Sequence, residues 1–303
     1  PQPTSKFERA LAFVSRKTDV RDVRTHKLCA ADTLGYAMGV ILAPLFIRMQ
    51  EHEYGTYAVE DPEELHDMRV ATRRMRTALW IAKPYLDRDA IAHVRRDLKK
   101  TAKVLGAVRD MDVFREKTGH YLATAAEGTD LAPLMQVWNV AYTRRRNKML
   151  DYLSSKRYAR FKKAGWAEIQ AGFPEVSGPH VLREILPVIL TQRLDKVVRG
   201  GAAIGQDDLP LKDYHQLRID VKRLRYTLEF FRDALGPEAG EAIEALKVLQ
   251  DYFGDLQDAV VASAHIRAVS DFGTWEHPQQ VHGLWPPAGG STARAVDRSV
   301  GLA

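Results

Sequence analysis

The chain has 303 residues, 45% of them hydrophobic and 28% charged, and its 45 Lys/Arg against 39 Asp/Glu give a formal charge of +6. This balance is ordinary for a globular protein with a sizeable core and excludes a chain disordered throughout. The most apolar run, Leu34 to Ile47, contains Pro44 and falls short of the roughly 20 residues a bilayer crossing needs, so no membrane span is expected.

The N-terminal PQPTSKFERALAF lacks the apolar segment and small-residue cleavage site of a secretory signal, which predicts a cytoplasmic protein. Apolar residues then recur at spacings of three and four, with almost no alternating β-branched runs, and predict an all-α fold. In chain order the helices are expected over 24–52, 62–84, 88–122, 130–154, 156–168, 180–200, 211–235 and 238–270. Cys29, the single cysteine, falls in the first of these; alone it excludes an internal disulfide and a Cys-based zinc cluster, and it is expected to be a small buried residue. Asp61-Pro62-Glu63-Glu64 supplies an N-cap, a first-turn proline and two first-turn acids for the second helix, and Gly236-Pro237 separates the last two. Gly172 to Pro179, GFPEVSGP, reads as a mid-chain linker. After Asp271 the composition turns to Gly, Pro and Trp, and little regular structure is expected. The expected organisation is an N-terminal segment 1–19, a helical domain 20–270 divided at about 20–170 and 179–270, and a tail 271–303.

Two of these helices carry one pattern. ELHDMRVATRRMRTAL (64–79) places His66, Arg69, Arg73 and Arg76 within an arc of roughly 80° beside the apolar stripe Leu65, Met68, Thr72, Met75 and Leu79. DYHQLRIDVKRLRYTL (213–228) repeats it with His215, Arg218, Lys222 and Arg225 beside Tyr214, Leu217, Val221, Leu224 and Leu228. His66 to Arg76 aligns with His215 to Arg225 at an offset of 149, and Leu105-Gly106 with Asp110 aligns with Phe253-Gly254 with Asp258 at 148. Two blocks in one order predict a duplicated unit of long helices, hence two antiparallel four-helix-type bundles related by an internal pseudo-two-fold.

Like charges at these spacings repel, so stability alone does not select them. A solvated basic face is one reading; the other is that rows of forked guanidinium donors, advancing about 5–6 Å per turn, contact successive phosphates of an extended polyanion. Between His66 and Arg109 there are 12 Lys/Arg and 4 Asp/Glu, a local excess of +8 that points to an anionic partner. Arg96, Lys99 and Lys103 form a second row on the next helix, with Arg109 beside Gly106. In the second half only Lys247 survives of that row, because Glu244, Asp251 and Gln257 take the counterpart positions, so the first half is expected to bind more strongly. Arg74 and Arg223 complete the candidate set although helical phase turns them away. Arg144-Arg145-Arg146 and Lys156-Arg157 read as solvated surface.

His66 and His215 fit a phosphate contact or a structural hydrogen bond better than metal ligation, since arginines rather than carboxylates surround them. Asp110, Asp112, Asp255 and Asp258 could suggest a Mg²⁺ site, but their repeated placement favours pairing between helices. No P-loop, dinucleotide fingerprint, GxSxG or HExxH occurs, so no catalytic residue, metal or cofactor is expected.

Taken together, ELHDMRVATRRMRTAL, VLGAVRDMDVF, YHQLRIDVKRLRYTLEFF and LQDYFGDLQDAVV resemble the CHAD family of histidine-containing α-helical domains over about residues 20–270. The resemblance implies two four-helix bundles with internal pseudo-symmetry, a basic cleft or pore, and binding of inorganic polyphosphate, with association with polyphosphate granules. It implies no catalytic activity. Relatives are often fused to a triphosphate-tunnel domain whose ExExK start does not occur here, which favours a binding module. A nucleic-acid-binding module is the alternative, for which Trp80, Tyr85 and Tyr226 are the only aromatics near the cations; a metal-dependent phosphohydrolase is a third. The oligomeric state is open.

Overall fold

The computed structural model describes residues 27–58, 61–122, 132–204 and 211–271, and among them the protein is all-α. The elements are α1 (Leu34–Glu51), α2 (Glu53–Ala58), α3 (Pro62–Ala82), α4 (Arg88–Leu122), α5 (Ala132–Leu153), α6 (Lys156–Ala171), α7 (Leu182–Ile204), α8 (Leu211–Phe230), α9 (Arg232–Leu235) and α10 (Glu238–Asp271).

Local chemistry sets the boundaries. Asp61 caps α3 by accepting from the Glu63 backbone N–H, and Pro62 opens the helix where no donor is needed. Ser155 caps α6 in the same way. The first helix begins later than expected, at Leu34, because the Thr33 hydroxyl caps it and residues 27–33 form a turn; residues 24–26 lie outside the described ones. Cys29 sits in that turn and is exposed, contrary to expectation. The helix expected over 211–235 breaks at Phe231, whose side chain is buried, leaving α9 as a single turn. Segments 1–19 and 272–303 lie outside the described residues.

The linker expected at 172–179 is instead a packed strap. The Phe173 N–H donates to the Gly35 carbonyl, the Val176 N–H to that of Tyr85, and the Glu175 carboxylate accepts from the Gly35 and His180 N–H groups. Its bridges, Leu86 with Glu175 and Thr33 with Val181 just beyond it, tie the starts of α1, α4 and α7 together. Gly35 has no alternative there, since a Cβ would stand 2.1 Å from the Phe173 oxygen.

Helix α3 is central, packing on α1, α2, α4 and α8, while α8 packs on α7, α10 and α3. Leu65, Met68, Thr72, Met75 and Leu79 are buried, and the Thr72 hydroxyl is satisfied by the Met68 carbonyl. They meet Met38, Leu42 and Phe46 of α1 and Val94, Leu98 and Leu105 of α4 in one core. Among the described residues no helix is long and apolar enough to cross a membrane.

Candidate functional site

Because the apolar stripe of α3 is buried, helical phase fixes its basic stripe at the edge of the core, next to α4 and α8. Gly106 lets α4 pass beside Arg69, whose Nε would be 3.6 Å from a Cβ built there. Arg69 Nη2 lies 3.7 Å from Asp110 Oδ1, and Arg109 reaches Glu63 Oε1 at 3.5 Å. Burial lowers the pKa of Arg69, Asp110 opposes that, and Arg73, Arg109 and Arg76 add repulsion. His66 is held below the usual histidine range, by burial first and then by Arg109.

The second repeated helix brings its cations to the same place. Lys222 of α8 has its pKa pushed down to about 8, by burial first and then by Arg218, Arg73, Arg69 and Arg225, so arginines of α3 and α8 both act on it. Arg73 Nε and Arg218 Nε are buried without a hydrogen-bond partner. Where α3, α4 and α8 meet, a recess of about 280 Å³ is lined by the cations Arg73, Arg76, Arg95, Lys99 and Arg223, together with Thr77 and Trp80, and by no carboxylate. The guanidiniums of Arg223 and of Arg193, on α7, lie over the Trp80 ring at 3.9 and 4.8 Å from its centroid.

Not every expected residue joins this group. Arg96 turns to the other side of α4, where it contacts His93 at 2.9 Å and lines a groove with Arg157 and Arg160 of α6. The recess takes Arg95 in its place, one turn before Lys99, while Arg96 faces α6. Lys247 lines a separate recess with Arg74 and Glu229 and pairs with Glu244 at 2.7 Å. Arg74 pairs with Glu229 at 2.7 Å and lies over Tyr226 and Phe230; Arg225 is also held by Glu229 and by Gln250. Arg223, which helical phase had turned away, lines the cationic recess. Lys103 and His215 are exposed.

Arg145 and Arg146, expected on solvated surface, reach backbone carbonyls of Ala107 and Tyr57, and Arg157 forks onto Asp97. Burial raises the pKa of Asp110 and of Asp112, countered by Arg69 and Arg145 at the first and by Arg109 and Arg115 at the second. Among the described residues no group of three or more His, Cys, Asp and Glu side chains could hold a metal ion. The side chains of Asp255, Gln257 and Asp258 lie outside the described ones.

A family model described as "CHAD domain" matches residues 40–267. Two curated relatives, both uncharacterized proteins from strains of Mycobacterium tuberculosis, are 28% identical over 214 residues, covering 67% of this chain and 40% of each relative. The chain thus spans about two fifths of the length of those relatives. Among solved structures, that of the CHAD domain from the plant Ricinus communis aligns with a TM-score of 0.58 at 23% identity, covering 88% of this chain and 92% of that one. PptA from Streptomyces chartreusis aligns with a TM-score of 0.54 at 19% identity over 71% and 81% of the two chains. At these identities the likeness shows the all-α fold.

Proposed function

The chain belongs to the CHAD domain family, and from that premise we propose that it binds inorganic polyphosphate, without turning it over, in a basic cleft formed by the repeated helices α3 and α8. The observation that carries this reading is the acid-free recess lined by Arg73, Arg76, Arg95, Lys99 and Arg223, with Arg69 and Lys222 beside it. Cations gathered on a partly exposed recess with no carboxylate in its lining repel one another, and a polyanion supplies counter-charge to several at once. The order α7, α8, α10 repeats α1, α3, α4 at the offsets of the sequence motifs, which supports two pseudo-equivalent halves contributing unequal numbers of cations.

Polyphosphate is favoured over nucleic acid because the aromatics near the cations already have partners. Trp80 lies under Arg193 and Arg223, Tyr226 under Arg74 and Arg225, and Tyr85 stands edge-on to His180. Tyr226 is buried and the part-exposed Trp80 already carries two guanidiniums, which leaves bases little ring face to stack on. A hydrolytic role has less support: of the nearest carboxylates, Asp110 faces Arg69 and Glu63 faces Arg109. Association with polyphosphate granules follows if the polymer is the ligand. The test is equilibrium binding of long-chain polyphosphate to the wild type and to Arg69→Glu/Arg73→Glu/Arg76→Glu, with phosphate release followed in Mg²⁺ and Mn²⁺. Binding by the wild type, its loss in a folded variant and no release of phosphate are expected; intact binding by the variant contradicts the reading.

A further inference from the structure

Most arginines around the repeated helices are held by carboxylates: Arg74 and Arg225 by Glu229, Arg109 by Glu63, and Arg69 near Asp110. A carboxylate mount fixes a guanidinium but occupies its donors and cancels its charge. Arg73 and Arg218 lack such a mount, and so does Arg193, which differs from them in lying over an aromatic ring. Among the described residues Arg193 has no hydrogen bond or ion pair, its Nε is buried without a partner, and its contact is with the Trp80 ring at 4.8 Å. Burial, and then the neighbouring Arg223, push its pKa down to about 10, while Asp220 and Tyr85 act weakly in the opposite sense. Arg223 touches Asp220 through one nitrogen at 3.2 Å and lies over the same ring at 3.9 Å.

Two guanidiniums held together against their mutual repulsion, one of them without a counter-charge, form an arrangement that an oxyanion would relieve. An aromatic mount suits that task. It attracts the cation through its face, and leaves the N–H edges available to an acceptor. We propose that Arg193, which lies outside both repeated helices, is a further phosphate-contacting residue, and that Trp80 is a positioning residue holding Arg193 and Arg223 at the end of the cationic recess. The ligand is a compact phosphate group of an inorganic chain. This rests on the polyphosphate reading and deepens it by adding α7 to the surface that α3, α4 and α8 form.

The test is titration calorimetry of the full chain with long-chain polyphosphate and with tripolyphosphate at one fixed ionic strength, using Arg193→Gln, Trp80→Leu, Trp80→Phe and the double variant Arg193→Gln/Trp80→Leu. Arg193→Gln weakens binding roughly tenfold, the loss expected of one charge-assisted hydrogen bond. Trp80→Leu weakens it by a similar factor, Trp80→Phe restores most of the affinity because the π face returns, and in the Trp80→Leu background Arg193→Gln costs less than about twofold. A purely structural tryptophan would lower the melting temperature without that coupling. If Trp80→Leu fails to fold, Arg193→Gln and Trp80→Phe still decide the matter. Wild-type affinity in Arg193→Gln, alongside lost binding in Arg69→Glu/Arg73→Glu/Arg76→Glu, overturns this inference and leaves the polyphosphate reading standing. Failure of the wild type to bind polyphosphate overturns that reading itself. If Trp80→Leu weakens single-stranded RNA more than polyphosphate, the ring serves as a base platform and the positioning role is wrong.

Discussion

Lys222 of α8 and Arg73 of α3 stand close enough to repel one another, one from each repeated helix, and with burial this leaves the lysine titrating near 8. Free of the fold a lysine titrates near 10.5, so between about pH 8 and that value the unfolded chain holds the extra proton and stability rises with pH. Anion binding runs the other way. A polyanion favours the charged lysine, so polyphosphate affinity should fall as pH rises from about 7 to 9.5, with proton uptake on binding near the upper end. Lys222→Gln should flatten that fall. Titration calorimetry in buffers of different ionisation enthalpy measures the uptake directly; an unchanged pH profile in the variant would place the titrating group elsewhere.

The two repeats should contribute unequally. Arg69→Glu/Arg73→Glu/Arg76→Glu reverses three cations beside the recess and should abolish measurable binding while the helical signal in circular dichroism persists. Arg218→Glu/Lys222→Glu reverses two cations in a half where Lys247 is already paired with Glu244, and should weaken binding by a smaller factor. A larger loss from the α8 pair would refute the asymmetry.

Glu229 holds Arg74 of α3 and Arg225 of α8 while only 15% exposed, so it pins the two repeated helices together. Glu229→Gln keeps the shape but removes the shared counter-charge, and should cost about 2 kcal/mol of stability, the range of hydrogen bonds to charged groups. Polyphosphate affinity should hold or rise, because an anion has left the neighbourhood. Chemical denaturation and binding, measured on the same preparation, separate the two effects.

Gly35→Ala should destabilise strongly, by about 3 kcal/mol or more, because the new methyl meets the Phe173 carbonyl at 2.1 Å and backbone on both sides must move. Gly106→Ala, whose Cβ would meet only the flexible Arg69 side chain at 3.6 Å, should cost far less. Thermal unfolding of the pair checks whether the strap clamps the start of α1.

Periodicity and caps made the long helices legible: α3 starts at the Pro62 that Asp61 announces, and its five-residue apolar stripe is the buried one. Proximity is what a linear pattern lacks. Arg96 and Arg95 both step onto Lys99, and only the packing of α4 against α3 and α6 decides that Arg95 enters the recess and Arg96 leaves it. Arg225 fits the basic stripe by spacing, but Glu229 one turn on and Gln250 from α10 claim its donors. Arg193 left no signal in a mostly apolar helix, because what singles it out is a tryptophan over a hundred residues away. The strap at 172–179 reads as a linker by its Gly and Pro content, whereas its hydrogen bonds to Gly35 and Tyr85 depend on tertiary structure.

The measurement that bears most directly on the central claim is competition between long-chain polyphosphate, RNA and DNA at equal phosphate concentration, repeated across about 50 to 200 mM salt. If α3 and α8 form a phosphate-binding cleft, polyphosphate displaces both nucleic acids, and its log affinity falls linearly with log salt, with a slope of roughly −0.7 per phosphate engaged by analogy with single strands. Equal or tighter binding of RNA, or an affinity for polyphosphate indifferent to salt, would contradict it.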